Sequence, residues 1–273
     1  MRFPVLFLSG LCLALAQEPP AHQKLISTLW VQTSVEWQVS CRQSFLAARH
    51  ALDASISDPS STAAIEQAAH DPASLRNLPL AIIVDVDETV LDNAPSQARQ
   101  VKAGVGFDLA LWNQWVSESK ADPMPGAAEF SRYAAARGVT IFYVTNRDAN
   151  QEAATRSNLR RHGFPLSLNN DTVLCRSERT EWSSDKSTRR SFIGATHRIL
   201  LLIGDDLGDF LPGARTTAAN RQILAAPYQE YWGRKWFLIP NPSYGSWEDA
   251  IYNVPKPQDP GEQLKQKLSA LRP

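Results

Sequence analysis

Nine consecutive residues, Ile82-Ile83-Val84-Asp85-Val86-Asp87-Glu88-Thr89-Val90, constrain this chain more than any other stretch. An unbroken apolar run reads as a strand buried on both faces of a parallel sheet, and open α/β sheets place their ligands beyond the carboxyl ends of such strands. Asp85 and Asp87 therefore stand where a site belongs. Two carboxylates at i and i+2 leaving a strand can turn into one pocket, where they repel each other. A hard cation such as Mg²⁺, held by carboxylates and by substrate phosphate oxygens, relieves that repulsion. The motif alone leaves two readings open: metal-assisted phosphoryl transfer, or an acidic strand-to-loop turn without chemistry.

The rest of the chain supplies the sheet. Apolar residues at helical spacing from Leu25 to Leu52, among them Trp30, Trp37, Cys41 and Phe45, predict one long amphipathic helix, followed by a short helix through His70. The first strand is expected over Leu80 to Val86. Trp112 and Trp115 sit in a helical pattern between Asp92 and Pro125, and Pro125-Gly126 opens a helix that Arg137-Gly138 closes. Strands are predicted at Val139 to Thr145, weakly at Val173 to Cys175, and at Arg198 to Ile203. Helices are predicted at Ala149 to His162, at Lys186 to Ile193, and in the tail at Gln263 to Leu271. Alternation of this kind specifies a parallel sheet with helices on both faces.

Composition narrows the function. Lys plus Arg and Asp plus Glu number 28 each in 273 residues, so no overall field recruits a nucleic acid polymer or an anionic membrane, and phosphate recognition must be local. Met1-Arg2, the apolar run Phe3 to Ala16 and the Ala14-Leu15-Ala16 ending match a secretory signal peptide over residues 1–16, cleaved after Ala16. The run is too short for a confident membrane span, so residues 17–273 are expected free of the membrane, in the periplasm or secreted. Two cysteines, Cys41 and Cys175, remain in that part; they either pair or act as small buried apolar residues.

Four features fall at strand ends or helix starts: Asp85 and Asp87, Thr145-Asn146-Arg147, Lys186, and Gly204-Asp205-Asp206-Leu207-Gly208-Asp209. In a parallel sheet the strand ends share one edge. A carboxylate can attack phosphorus and form an aspartyl-phosphate, a second acid can protonate the leaving oxygen and then activate water, and a hydroxyl, an amide and an ammonium can hold the non-bridging oxygens. Arg147 and Arg176 either guide phosphate or lie on the surface.

These motifs resemble those of the haloacid dehalogenase-like (HAD) hydrolases, and more closely those of the bacterial class C acid phosphatases and lipoprotein 5′-nucleotidases. The resemblance is carried by Asp85 to Asn93, by Val144-Thr145-Asn146-Arg147, by Lys186, by the motif from Gly204 to Asp209, by Ile239 to Glu248, and by the early residues Trp30, Gln32, Ser34, Glu36 and Trp37, nearly the whole of residues 17–273. It departs at Asp206 and Gly208, where relatives usually carry Asn and Asp. A lipid-attachment reading at Cys12 is disfavoured, because Leu11 stands where a small residue is expected.

The resemblance implies a single Rossmann-like HAD domain with a small helical cap from about 20–75 and 93–125. Asp85 would be nucleophile and Mg²⁺ ligand, and Asp87 acid/base with its backbone carbonyl on the metal. Lys186 would neutralise the phosphoryl group, with Thr145 and Asn146 holding it. Asp205 would complete the ligands and Asp209 would orient them. Trp112 and Tyr244 are the aromatic candidates for a substrate's leaving group. The implied protein is a secreted, Mg²⁺-dependent acid phosphatase for small phosphomonoesters, 5′-nucleotides first among them. A phosphotransferase using the same intermediate and a non-catalytic surface binding protein on the same fold stay open, as does a homodimer.

Overall fold

The computed structural model describes residues 22–68, 70–252 and 256–273. The expected signal segment, its cleavage point and Cys12 lie outside the described residues. Strands β1 (Leu80–Val84), β2 (Thr140–Asp148), β3 (Val173–Arg176), β4 (Arg198–Gly204) and β5 (Trp236–Leu238) form one sheet in the order β3-β2-β1-β4-β5. Every pairing in it is parallel, with Val84 opposite both Tyr143 and Ile203. The strand that opens the acidic motif is thus the central one, flanked by the strands that end in the second and fourth motifs.

Side chains alternate along β1 and divide the core in two. Ile82 and Val84 pack with Trp37, Cys41, Phe45 and Leu52, whereas Ile83 packs with Phe142, Leu202, Trp182 and Trp236. Both faces are covered, which is why these strands read as continuous apolar runs. Cys41 and Cys175 are free thiols inside the core, and burial pushes the Cys41 thiol up to about 12, so both behave as apolar residues.

The N-terminal helix is two helices, α1 (Leu25–Thr33) and α2 (Val35–Ser57). Ser34 divides them: its backbone is extended, and its hydroxyl accepts from the Trp37 N–H at 3.1 Å as an N-cap. Apolar spacing continues across the break and conceals it. The short helix expected through His70 is a 3₁₀ turn, Ile65–Gln67, and one helical turn, Pro72–Leu75. α2 lies against the sheet face through its Trp37, Cys41, Phe45 and Leu52 side chains.

Between the first two strands, a two-residue antiparallel ribbon, Leu91–Asp92 with Asp122–Pro123, brackets an inserted helical pair, α3 (Ala94–Ala103) and α4 (Leu109–Glu118). α5 (Ala127–Ala135), α6 (Glu152–Arg161) and α7 (Ser187–Gly194) complete the layers used below. β5 and the loop beyond it close the sheet edge. Among the described residues no helix is long and apolar enough to cross a membrane.

Candidate active site

Asp85 lies one residue past β1, and its N–H still bonds the Ile203 carbonyl at 2.9 Å, so the sheet ladder itself fixes this residue. The side chain is buried and accepts from Lys186 Nζ. Lys186 stands at the start of α7, and its ammonium also pairs with Asp209 Oδ1 at 2.6 Å. Burial pulls the Lys186 pKa down, but Asp209 and Asp85 outweigh it and hold the amine above its ordinary value. One ammonium cannot neutralise every acid around it. Burial, reinforced by Asp209 and Asp87 and only partly offset by Lys186, pushes the Asp85 carboxyl up to about 7.

Asp205, directly after β4, brings a third carboxylate. Oxygens of Asp85, Asp205 and Asp209 lie within 4.8 Å of one another. Burial, then Asp85 and Asp209, raise the Asp205 pKa well above the usual carboxylate range. Asn241 Nδ2 holds Asp205 Oδ2 at 2.7 Å, and the Thr89 hydroxyl reaches Oδ1 at 3.4 Å. A cluster of oxygen donors with surplus negative charge suits a hard divalent cation, so these residues fit Mg²⁺. Asp209 reaches the cluster because Gly204 has no side chain: a Cβ there would overlap Oδ2, Cβ and Cγ of Asp209.

The Asp87 carboxylate turns elsewhere. Arg147 donates to its Oδ1 from Nη2 at 2.7 Å and from Nε at 3.0 Å, Asn93 Nδ2 donates at 2.8 Å, and the Thr145 hydroxyl reaches Oδ2 at 3.4 Å. Its side-chain oxygens are not among the clustered three, which leaves its backbone carbonyl as what it can offer a cation. Arg147, open in the sequence between guiding phosphate and lying on the surface, is buried and forks onto Asp87. Arg176 instead pairs with Asp148 at 2.9 Å on the cavity wall.

Thr145 and Asn146 separate in space. Thr145 is fully buried behind the cavity, whereas Asn146 lines it and donates from Nδ2 to the Ser184 carbonyl at 3.0 Å. Behind both stands Arg189, whose Nη1 donates to the Thr145 carbonyl at 2.5 Å and Nη2 to Asn146 Oδ1 at 2.7 Å. Burial brings its pKa down to about 10. Arg190 is likewise buried and ties the Asp209 carbonyl at 2.9 Å to Glu66. The start of α7 thus carries three cations toward three parts of the site. Lys186 is legible as a motif; Arg189 and Arg190 are visible in sequence only as further basic residues three and four positions on.

The loop after β5 seals the other side. Asn241 reaches Asp205, the Tyr244 hydroxyl donates to Glu88, and Ser246 donates to Asp206 from its N–H and its hydroxyl, both at 2.6 Å. Asp206 also accepts from the Gly208 N–H at 2.8 Å. At the two positions that depart from the motif, the Asp206 carboxylate is engaged by the loop, and a Cβ at Gly208 would come within 3.2 Å of Asp206 Oδ1. Glu88, at φ +56, is a buried carboxyl in the left-handed region, and burial followed by Asp87 and Asp92 raises its pKa well above normal. Asn93 connects it to the insertion: its N–H donates to Glu88 at 3.1 Å, and its Oδ1 accepts from Trp115 Nε1 at 2.7 Å.

All of this opens into a cavity of about 740 Å³ lined by Asp85, Asp87, Lys186, Asp205, Asp209, Asn146, Trp112 and Tyr244, with Phe107 and Leu109 from the insertion. The family model described as HAD superfamily, subfamily IIIB (Acid phosphatase) matches residues 20–247. The chain belongs to this family. The class C acid phosphatase from Bacillus anthracis has the same fold as this subfamily IIIB chain, at a TM-score of 0.77 and 32% identity over 92% of this chain and 97% of that one. A second structure of the Bacillus anthracis enzyme, with tungstate bound, aligns at 0.77 and 31%. Among curated relatives, the stem 28 kDa glycoprotein of Glycine max is 22% identical over 59% of this chain, and the stem 31 kDa glycoprotein 24% identical over 59%. The chain spans less than two thirds of the length of these plant proteins, 58% in each case.

Proposed function

We propose that the protein is a Mg²⁺-dependent acid phosphatase that hydrolyses small phosphomonoesters, 5′-nucleotides among them, through an aspartyl-phosphate on Asp85. One observation carries the reading: a buried carboxylate at the end of the central strand shares Lys186 with Asp209, clusters with Asp205, and lines a cavity large enough for an organic leaving group. Asp85 Oδ would attack phosphorus as the bond to the leaving oxygen breaks, with Asp87 giving that oxygen its proton. The carboxylate so formed on Asp87 would then take a proton from water as that water attacks phosphorus and frees Asp85. Lys186 and Asn146 would hold the non-bridging oxygens. Bound among Asp85, Asp205 and Asp209, the cation would screen the approach of one anion to another.

Because Asp87 must carry a proton for the first step, activity is expected to be greatest on the acid side of neutrality. The Bacillus anthracis enzyme binds tungstate, a tetrahedral oxyanion of phosphate shape, which supports reading this chain as an oxyanion-binding protein. Trp112 and Tyr244 offer flat surfaces to a nucleobase. Lys24 from the N-terminal part, with Gln97, Phe107 and Trp112 from the insertion, lines the cavity, which supports a cap drawn from 93–125 and the first residues of 20–75, while α2 packs on the sheet as part of the core. Export to the periplasm or beyond follows from the leader read in the sequence. The deciding assay is phosphate release from adenosine 5′-monophosphate with Mg²⁺ or with chelator, in the wild-type protein and in Asp85→Asn. Unchanged release by Asp85→Asn would overturn the assignment.

A further inference from the structure

On the Tyr244 side of the cavity stands a cation without a counter-charge, which bears on what the leaving group carries; this inference rests on the phosphatase reading. Lys24 lies there half-buried, its ammonium 5.3 Å from the centroid of the Tyr244 ring. Among the described residues no carboxylate pairs with it: burial lowers its pKa, and the acids that act on it, Glu248 and Glu88, do so from beyond ion-pair reach. Glu248 is engaged by Lys267 at 2.6 Å and by the Tyr252 hydroxyl at 3.2 Å, with Lys256 at 3.9 Å. Asp249 is shared by Lys256 at 3.4 Å and Arg215 at 3.5 Å. Lys24, Arg215 and Lys256 line the cavity with those two acids and Asp206. Among the described cations of the cavity wall, Lys24 is the one with no carboxylate in ion-pair reach.

Lys24 is a half-buried donor that has exchanged water for an aromatic face without gaining an anion, an arrangement that an incoming anion improves. The scissile phosphoryl group is held in this reading by Lys186 and Asn146, which leaves Lys24 as a further cation of the same cavity beyond those that group uses. A cavity of about 740 Å³ holds far more than one phosphate. We infer that Lys24, with Arg215 and Lys256, forms a second anion-binding position, and that the site favours organic bisphosphates, one phosphate meeting Asp85 and the other Lys24.

Binding tests this without turnover. In Asp85→Asn protein with Mg²⁺ at 0.15 M salt, calorimetry compares adenosine 3′,5′-bisphosphate with adenosine 5′-monophosphate, and fructose 1,6-bisphosphate with fructose 6-phosphate. The expected result is a Kd about tenfold lower for the bisphosphate of at least one pair, the scale of one charge-assisted hydrogen bond. The pair that responds tells a nucleoside from a sugar. Adding Lys24→Met or Lys24→Gln should bring the ratio to near one, and Lys24→Arg should keep it. A ratio near one in both pairs, or a ratio that survives both neutral variants, overturns the second position. Absence of phosphate release from all four compounds by the wild-type protein would instead overturn the phosphatase reading, leaving the binding ratio to stand or fall by itself.

Discussion

Arg147 and Asp87 form a forked ion pair, with Nη2 at 2.7 Å and Nε at 3.0 Å from the same carboxylate oxygen, and the Arg147 side chain is 1% exposed. Such a fork fixes both the position and the plane of the acid. General acid–base groups contribute about 10²- to 10⁴-fold to rate, so Asp87→Asn should lower kcat on that scale. Arg147→Met should lower it by part of the same amount, and Arg147→Lys, which keeps the charge and loses the fork, should fall between. If the two residues act as one unit, the double variant is hardly slower than Asp87→Asn alone. Losses that multiply would show that Arg147 acts on substrate by another route.

Gly204 is required by Asp209 rather than by its own backbone. A Cβ at position 204 would occupy the space of the Asp209 side chain, which pairs with Lys186 at 2.6 Å and accepts from the Asp206 N–H at 3.0 Å. Gly204→Ala should therefore destabilise by about 1–3 kcal/mol, the usual scale of overpacking, and raise the Mg²⁺ concentration needed for half-maximal phosphate release several-fold. A metal titration indistinguishable from wild type would remove Asp209 from the organisation of the cation site.

How much of this was legible beforehand depended on whether the signal was local. Central strands buried on both faces announce themselves as apolar runs, which makes β1, β2 and β4 legible, and their shared edge gathers Asp85, Asp205 and Asp209, with Lys186 reaching in from the start of α7. β5 is three residues long, and Trp236-Phe237-Leu238 has too little length for its pattern to register. Ser34 was hidden because a cap depends on one hydroxyl and leaves the apolar spacing intact. The burial of Thr145 with its hydroxyl on Asp87, and the fork of Arg147 onto the same carboxylate, follow from backbone geometry at the end of β2, which residue types do not encode.

Metal binding and pH are linked through Asp85. In the metal-free protein its carboxyl titrates at about 7, raised by burial from an ordinary value of 3.8. Between these values the unfolded chain has released the proton and the folded one retains it. The folded state therefore loses stability as pH rises from about 4 to about 7, and this contribution levels off above that. Asp205 shifts in the same direction, which deepens the effect. A bound cation replaces the missing proton, so the rise in Tm on adding Mg²⁺ should be larger at pH 7.5 than at pH 5. In Asp85→Asn the contrast should shrink. A Mg²⁺ effect independent of pH would place the cation away from these carboxylates.

Trp236 joins the sheet edge to the site. It is fully buried, its Nε1 donates to the Ala63 carbonyl at 2.8 Å, and the rings of Tyr231, Tyr228, Trp232 and Phe210 stand 4.8–5.5 Å from its own. Three residues later begins the loop that brings Asn241 to Asp205 and Tyr244 to Glu88. Trp236→Ala should destabilise by about 3–5 kcal/mol, as large-to-small changes in a core do, seen as a lower urea midpoint at unchanged slope. Trp236→Phe keeps an aromatic ring and loses one hydrogen bond, so its deficit should be smaller. The functional consequence separates packing from chemistry: with β5 loosened, the residues of the following loop are held less firmly, and KM should rise while kcat at saturating substrate and Mg²⁺ falls less. A Trp236→Ala protein whose KM stays at the wild-type value would mean that Asn241 and Tyr244 hold the loop in place without the strand before it.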